Sequence, residues 1–345
     1  MNQQTQNIAA QARIHHAFLL GLQLMLVSHK SPTVVGEWMY RLFLRQHREK
    51  FLSSFAKLGL DGLPDAVACA QYHVMSNNIG GVPVEYIYEN DKKAWVRFRY
   101  PRWMYQGPVI CGIPVEVSRG FLRGWYAQNG ISLNNPRLGF VCVSEDMTGE
   151  FGFCGYFKEF DHDLADDQRL QFARGELPPA YNAEEQPVLL ANDWGAERLE
   201  KANRNYAMGF IRSGLAELAH VIGEKDAREL GGRAARLIGL QYLMETRQLV
   251  GVEDGDLSTA VAYLSNMFDG LGDKVVIVQL EDRHEIELVH SGLRIVRDLP
   301  DQERDLVLAC WQQLWVGALA SYREMKKVNV IVEQNQIRWQ ISDIK

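Results

Sequence analysis

Residues 64–98 read PDAVACAQYHVMSNNIGGVPVEYIYENDKKAWVRF and combine a helix signal with a hairpin signal. Pro64 suits the first turn of a helix, because the N–H that proline lacks would have no partner there. Gly80 and Gly81 mark the end of that helix. Two alternating runs follow, 82–88 and 94–98, with a charged turn between them. This order predicts one helix that leads directly into an antiparallel hairpin.

The same order of signals recurs in the second half of the chain. A helix is predicted at 258–268, and strands are predicted at 275–280 and 285–289. In each half a tryptophan-bearing helix and a second hairpin come next. Further helices are predicted at 14–30, 34–58, 115–129, 199–222, 225–246 and 302–322, and the second hairpins at 138–144 with 151–157 and at 328–333 with 336–341.

This recurrence predicts an α+β protein made of two tandem copies of a helix–hairpin–helix–hairpin unit. Two like units commonly pack about a pseudo-two-fold axis. The expected domains are a first unit at 1–164, an acidic, proline-marked linker at 165–198 and a second, chemically plainer unit at 199–345. The alternative is a pair of unrelated α+β domains.

Composition argues against several classes of protein. The formal net charge is -6, and the lysine and arginine residues are scattered, so nucleic acid is not an expected partner. The apolar run Ala17–Val27 is too short to span a bilayer. The five cysteines show no CxxC spacing, which favours free thiols in a reducing, cytoplasmic compartment. No Walker, GxSxG, HExxH or GxGxxG motif is present in a suitable context, and the pattern leaves the cofactor and the metal state open.

A strand end supplies the first group of candidate catalytic residues, Asp161, His162 and Asp163. An imidazole beside carboxylates can act as a general base whose orientation the carboxylates hold. The same three residues could also ligate a metal ion. The alternative is a solvated strand end in which adjacent side chains point to opposite faces.

A second group of candidates surrounds the segment Trp103–Pro114, here named the aromatic loop. Its aromatic, glycine and proline residues suit a rigid pocket wall, with Trp103 and Tyr105 as substrate contacts and Tyr105 or Cys111 as proton donor or nucleophile. The nearby Trp125 and Tyr126 are further substrate-binding candidates. A purely structural loop packed on the sheet is the alternative.

Cys154 is the remaining catalytic candidate. It lies with Cys142 on a predicted hairpin that turns midway between them, so the two thiols are expected to be cross-strand neighbours on one face. Two facing thiols could bind a metal or form a disulfide. The alternative is that both are buried small hydrophobic residues.

The hairpin sequence Thr148-Gly149-Glu150-Phe151-Gly152-Phe153-Cys154-Gly155-Tyr156-Phe157 resembles the final hairpin of two related groups. These are the 4-vinyl reductase-like domain and the L-2-amino-thiazoline-4-carboxylic acid hydrolase family. The resemblance covers about residues 35–160, with an echo at 207–343. It implies a fold that encloses a small organic molecule. The hydrolase pattern also has a cysteine at the end of the second strand of the first hairpin, where this chain has Arg97-Phe98-Arg99-Tyr100-Pro101.

Three functions fit these observations. The first is a small-molecule enzyme, a cofactor-free or metal-assisted hydrolase or lyase acting on a small organic substrate such as a cyclic amide or amidine. The second is a small-molecule-binding sensory module, and the third is a structural or assembly subunit. A small-molecule ligand or substrate is the expected partner, and self-association into a homo-oligomer such as a dimer is compatible with the pattern.

Overall fold

The computed structural model describes residues 2–148, 150–189, 195–279, 284–322 and 324–344. The backbone divides into two compact units. We name residues 26–199 the central unit, and residues 1–25 together with 200–345 the composite unit. Both units mix helices with antiparallel hairpins, which confirms the predicted α+β class.

The chain begins with helix α1 (Gln3–His29), and the central unit continues from it. The helix predicted within residues 64–98 is observed at Asp65–Ile79, and the hairpin after it is formed by Val84–Asn90 and Lys93–Phe98. The elements of the central unit are α2 (Pro32–Lys57), α3 (Asp65–Ile79), β1 (Val84–Asn90), β2 (Lys93–Phe98), α4 (Val115–Gly124), α5 (Asn129–Ser132), β3 (Leu138–Ser144), β4 (Cys154–Glu159) and β5 (Leu170–Phe172).

These five strands form one sheet in the order β1-β2-β4-β3-β5, in which only β5 is parallel to its neighbour. Strand alternation divides the side chains between two faces. One face carries Phe140 and Phe157 and packs against α3, where His73 stacks on Phe157 at 5.2 Å. The other face carries Trp95 and Tyr156, which Phe160 and Ala173 cover. The sheet is therefore buried on both faces.

The composite unit has its own sheet, whose strands are β6 (Lys274–Gln279), β7 (Glu285–Ser291), β8 (Lys326–Val332) and β9 (Gln336–Asp343). Their order in the sheet is β6-β7-β9-β8. Helix α8 (Leu257–Leu271) precedes the first hairpin, and α9 (Asp301–Leu319) precedes the second, as predicted. The predicted strand end at residue 280 lies outside the described residues. Two further helices of this unit, α6 (Ala196–Ile222) and α7 (Glu224–Leu249), come before α8 in the chain.

Each unit contains a pair of helices that pack through glycine. In the central unit, a Cβ atom on Gly120 would lie closer than 3.0 Å to the carbonyl oxygen of Gly36, so α2 and α4 meet backbone to backbone. In the composite unit, Gly239 of α7 and Gly317 of α9 are equally tight against the opposite helix. Only glycine permits such close approach of two helix backbones.

The compact units differ from the predicted domain boundaries at the N-terminus. The first 25 residues cluster with 200–345, although the sequence placed them in a first unit at 1–164. Their side chains explain this, because Asn7 donates a hydrogen bond to Asp269 at 2.8 Å and Gly21 packs against Ile238. Periodicity identified α1 as a helix but could not identify the surface against which it packs.

Much of the predicted linker at 165–198 is packed on the sheet of the central unit rather than connecting two units. Strand β5 joins the central sheet, and the side-chain amide of Gln186 caps the free edge of β1. It accepts from the Tyr86 N–H at 2.9 Å and donates to the Tyr86 carbonyl at 2.7 Å. Such a cap satisfies backbone groups that an edge strand would otherwise expose. Residues 190–194 of this segment lie outside the described residues.

None of the helices in the described parts of the chain has a stretch long and apolar enough to cross a bilayer. The apolar run of α1 is instead buried within the protein, with Phe18, Leu19 and Leu22 fully covered. Among these apolar side chains lies one buried histidine, His15.

His15 is held as a neutral imidazole in the core of the composite unit. Its Nδ1 lies 2.7 Å from the Gln11 carbonyl oxygen, and its Nε2 accepts the indole N–H of Trp311 at 3.0 Å. Burial lowers the pKa of His15 to about 4, although the bond to Gln11 opposes this. Protonation of the ring would place a hydrogen on Nε2 and so remove the lone pair that accepts the Trp311 N–H.

We therefore expect acid to destabilise the composite unit through His15. An unfolded histidine has a pKa of about 6.5. Between pH 6.5 and about 4 the unfolded chain thus binds more protons than the native one, and stability falls as pH falls through this window. The expected loss is about 3 kcal/mol at most. Urea unfolding from pH 7 to pH 4 should show a weaker pH dependence for His15→Gln than for wild type. His220 is an exposed histidine and serves as the control. The prediction would be wrong if His220→Gln weakened the pH dependence of stability as much as His15→Gln does.

Candidate functional site

The aromatic loop folds as two short 3-10 turns, Trp103–Tyr105 and Gly107–Cys111, between β2 and α4. Gly107 adopts a φ of 67°, which glycine tolerates without steric cost. The loop directs Tyr105 into the protein, where it is 1% exposed, and leaves Cys111 and Gly112 at the surface. Arg102, immediately before the loop, is also buried.

Arg102 is the centre of a group that we name the polar cluster: Arg102, Tyr105, Ser118, Glu145 and Asp146. The Nε of Arg102 donates to Asp146 at 2.8 Å, and one terminal nitrogen, Nη2, donates to the Ser118 hydroxyl at 2.8 Å. The guanidinium carbon lies 4.4 Å from the ring centre of Phe153 and 4.9 Å from that of Phe121. Arg102 therefore combines a buried ion pair with aromatic stacking.

One hydrogen-bond donor of the polar cluster, the second terminal nitrogen of Arg102 (Nη1), has no partner among the described residues. The Tyr105 hydroxyl instead interacts with the Ser118 side chain: burial raises the pKa of Tyr105, and this interaction opposes the rise. Buried polar groups are satisfied in the great majority of native structures, and a buried donor without a partner costs about 1–3 kcal/mol. The unpartnered nitrogen of Arg102 is therefore available to an acceptor.

The carboxylates of the cluster come from the turn after β3. The Asp146 side chain accepts the backbone N–H of Phe153 at 2.8 Å as well as the guanidinium of Arg102. The Glu145 side chain is fully buried and contacts two partly exposed arginines, Arg119 at 3.5 Å and Arg174. Its Oε1 accepts no hydrogen bond from the described residues.

Burial and charge shift the proton affinities at this site. Burial raises the pKa of Tyr105 to about 12, against the opposing effect of Arg102, so the phenol stays protonated. Burial alone would lower the pKa of Arg102, but Tyr105 and Asp146 raise it overall. Burial, with a smaller effect of Glu145, raises the pKa of Cys142 to about 12. The site thus holds a permanent cation, a neutral phenol and a neutral thiol.

The residue predicted as the general base, His162, lies away from the polar cluster. His162 and Asp161 are exposed in the bend that follows β4, and the imidazole Nδ1 lies 2.7 Å from the Asp161 carboxylate. Asp163 is exposed too and pairs with Arg137 at 3.5 Å. The polar cluster adjoins the opposite end of β4, whose six residues span roughly 17 Å. The structure therefore does not bring Asp161, His162 or Asp163 together with Tyr105.

The two hairpin cysteines do not face each other. Cys142 pairs with Gly155, the neighbour of Cys154, so alternation sends the two thiols to opposite faces of the sheet. Cys154 is packed against Trp95, Val141 and Tyr156, and burial raises its pKa to about 12. The expected thiol pair on one face was wrong because the two strands pair with Cys142 opposite Gly155, one residue away from the register that a turn centred on residue 148 would give.

The other candidates lie in three different environments. Tyr126 is buried and shares the rings of Phe121 and Phe153 with Arg102, at 5.3 and 5.6 Å between ring centres. Trp125 is half-buried and contacts His47 at 5.5 Å, on the α2 side. Trp103 is half-buried in the aromatic loop, which exposes Cys111. Of the predicted site residues, Tyr105 thus belongs to the polar cluster and Tyr126 borders it.

Sequence reasoning missed Arg102, Ser118, Glu145 and Asp146. Arg102 lies in a run of arginines and aromatics, Arg97 to Tyr105, that reads as an ordinary strand end. The adjacent acids at 145–146 read as a polar turn. A usable signal was the single arginine directly before the aromatic loop. A loop that turns its aromatic residues into the protein also buries the residue from which it starts.

A second buried polar group was also missed, on one face of α3. Asp65, Cys69 and His73 follow each other at four-residue spacing and face the segment 129–135. Asn135 donates to Asp65 at 2.8 Å, and the Asn129 amide lies 2.9 Å from His73 Nε2. Burial lowers the pKa of His73 well below its usual value and raises that of the Cys69 thiol, so the imidazole is neutral and the thiol is unreactive.

An open surface depression of about 360 Å³ lies on the same segment, lined by Gly130, Ile131, Asn134, Asn135, Pro136, Asp166 and Arg169. Arg169 is tied to the carbonyls of Asn135 and Leu138, each at 3.3 Å, so its guanidinium fixes the chain here. In the described parts of the chain, no group of three or more His, Cys, Asp or Glu residues is arranged to hold a metal ion.

Comparisons with protein-family models, with curated proteins and with solved structures return no match for this chain.

Proposed function

We propose that the chain is a small-molecule hydrolase or lyase whose site is the polar cluster of the central unit. The observation that carries this proposal is the fully buried carboxylate of Glu145, one oxygen of which accepts no hydrogen bond among the described residues. This oxygen, Oε1, lies in a long ion pair with Arg119 at 3.5 Å but accepts no hydrogen bond, so a lone pair remains that can accept a proton from water. The suggested substrates are small cyclic amides or amidines, in keeping with the resemblance of residues 35–160 to the thiazoline-carboxylate hydrolases.

The proposed step is the hydrolysis of a carbon–nitrogen bond, in which a carbon–oxygen bond forms and the carbon–nitrogen bond breaks. Glu145 takes a proton from water as the oxygen attacks the substrate carbon, and the same carboxyl group then gives that proton to the departing nitrogen. Arg119 and Arg174 hold Glu145 in place through their ion pairs. Arg102 supplies fixed positive charge where negative charge develops.

Replacing Glu145 with glutamine tests this role. We expect turnover of any substrate found in a panel of cyclic amides and amidines, followed by mass spectrometry, to fall by about 100-fold or more, because general-base catalysis contributes that much. Glu176→Gln is the matched control, since Glu176 is an exposed carboxylate of the same unit bonded to Tyr156 at 3.1 Å. Equal turnover by wild type and Glu145→Gln would remove Glu145 from the mechanism.

We further infer that the two units descend from one duplicated ancestor. The strand orders β1-β2-β4-β3 and β6-β7-β9-β8 are the same apart from the added β5. In each unit the helix before the first hairpin spans 15 residues, and a glycine-packed helix pair accompanies it. A shared strand order plus a shared helix-packing device supports duplication more strongly than either does alone.

A reducing, cytoplasmic setting belongs to the same proposal. All five cysteines are free, and four of them are buried. Proteins of oxidising compartments commonly pair their cysteines, so this pattern favours an environment that keeps thiols reduced.

A further inference from the structure

Strand β6 exposes an apolar run at an edge of the composite sheet. Val276, Ile277 and Val278 follow one another in this strand, and they are 61%, 55% and 37% exposed. Successive residues of a strand point to opposite faces, so the run is open to solvent on both faces. Because β6 comes first in the order β6-β7-β9-β8, one of its sides has no neighbouring strand among the described residues. Such an edge is a template for pairing with another chain.

Two comparable edge strands are protected in ways that β6 is not. In the central unit, β1 holds the same place in its sheet, and the side-chain amide of Gln186 bonds the backbone of Tyr86 at 2.9 and 2.7 Å. At the other edge of the composite sheet, β8 presents Lys327 to solvent, and an exposed lysine opposes edge pairing. The only charged residue of β6 is its first, Lys274. The described part of the chain therefore leaves the apolar run of β6 uncovered.

The sequence of β6 is complementary to itself. When two copies pair antiparallel about a two-fold axis at Ile277, this residue lies opposite its own copy, and Val276 lies opposite Val278. With the axis perpendicular to the sheet, opposite residues share a face, so apolar pairs form on both faces. The backbone N–H and C=O groups of both free edges are satisfied at the same time.

The charges of β6 and β7 favour the same pairing. Lys274 pairs with Ser291, so it shares a face of the sheet with Glu287 and Glu285 of β7. Antiparallel pairing of two copies brings Lys274 of each copy to the end of the strand pair at which the other copy has Glu285. Their backbones are then two strands apart, roughly 10 Å, and the two long side chains approach each other across the pair. Opposite charges therefore meet at both ends of the contact.

We infer that β6 pairs antiparallel with β6 of a second copy of this chain, with the two-fold axis at Ile277. Two four-stranded sheets then become one sheet of eight strands. The pairing uses the free β6 edge of both copies, and lysine protects β8, so the assembly stops at a dimer. One strand from each copy makes a contact at the small end of specific interfaces, which bury about 1,200–2,000 Å². The dimer is therefore expected to dissociate at micromolar concentrations.

Sedimentation velocity of the full chain from about 1 to about 100 μM tests this association. We expect wild type to change from monomer to dimer over this range. Ile277→Lys sets two lysines opposite each other at the axis and should weaken dimerisation by about tenfold or more. Val332→Lys is the matched control, because Val332 is 44% exposed at the end of the other edge strand, and it should leave dimerisation unchanged. Both variants should unfold at the same urea concentration as wild type, since the replaced side chains are about half exposed.

Ile277→Cys tests the register of the pairing. Residues opposite each other in antiparallel strands lie about 5.5 Å apart between Cα atoms, within the range of a disulfide, so mild oxidation should link two copies of this variant. Wild type controls for the exposed Cys111, and Val332→Cys controls for a new exposed thiol. Wild type that stays monomeric at about 100 μM would overturn the inference and leave the edge to a strand of a different protein. Equal dimerisation of wild type and Ile277→Lys would also overturn it, as would cross-linking of Ile277→Cys no greater than that of Val332→Cys.

Discussion

Gly239→Ala is expected to destabilise the composite unit by roughly 3 kcal/mol or more, the upper range of overpacking effects. A methyl group at this position would lie closer than 3.0 Å to the Leu314 carbonyl oxygen and to the Ala318 nitrogen. Both are backbone atoms of α9, so no rotamer change can relieve the overlap. The helices must separate, which uncovers side chains along their whole contact.

Gly232→Ala on the same helix is the matched control. A methyl group there meets only the Gln313 Cγ at 3.5 Å, an ordinary contact with a flexible side chain. Alanine is favoured over glycine inside a helix by about 0.5–1 kcal/mol, so this variant should be slightly more stable than wild type. Urea unfolding followed by tryptophan fluorescence measures both. Equal stability of the two variants would show that α7 and α9 do not meet backbone to backbone.

Arg102→Met is expected to destabilise the central unit by about 3–5 kcal/mol, the usual cost of breaking a buried ion pair from one side. The variant leaves the buried Asp146 carboxylate with a single donor, the backbone N–H of Phe153 at 2.8 Å. It also removes the cation from its aromatic surroundings. Thermal and urea unfolding of the full chain would report this loss.

A double-mutant cycle with Asp146→Asn isolates the pair. The double variant should be less destabilised than the sum of the single variants, because each single change leaves an uncompensated buried charge. Arg41→Met on α2 is the control. Arg41 also pairs with a carboxylate, Glu37 at 3.1 Å, but both side chains are about 40% exposed, so its loss should cost at most about 1 kcal/mol. Additive effects of Arg102→Met and Asp146→Asn would show that the two side chains are not coupled.

The order of elements followed from local pattern. The helix at 65–79 and the hairpin after it were predictable because proline, glycine and alternating apolar residues act within a few residues of themselves. The helices and hairpins of the second half were predictable for the same reason. The sequence showed that the residue types at 161–163 could act in catalysis. It did not show that they are exposed, because burial depends on which side chains pack nearby after folding.

The sequence by itself determined the α+β class, the sequence of helices and hairpins, and the presence of a tyrosine-bearing loop after the first hairpin. Only the tertiary structure decided that α1 packs with the C-terminal residues, that Cys142 and Cys154 point to opposite faces, and that Arg102 meets Asp146 across 44 residues of chain. The physical reason is range. Helix and strand patterns arise from neighbours in the chain, whereas strand register, helix docking and buried ion pairs are set by side chains that become neighbours only after folding.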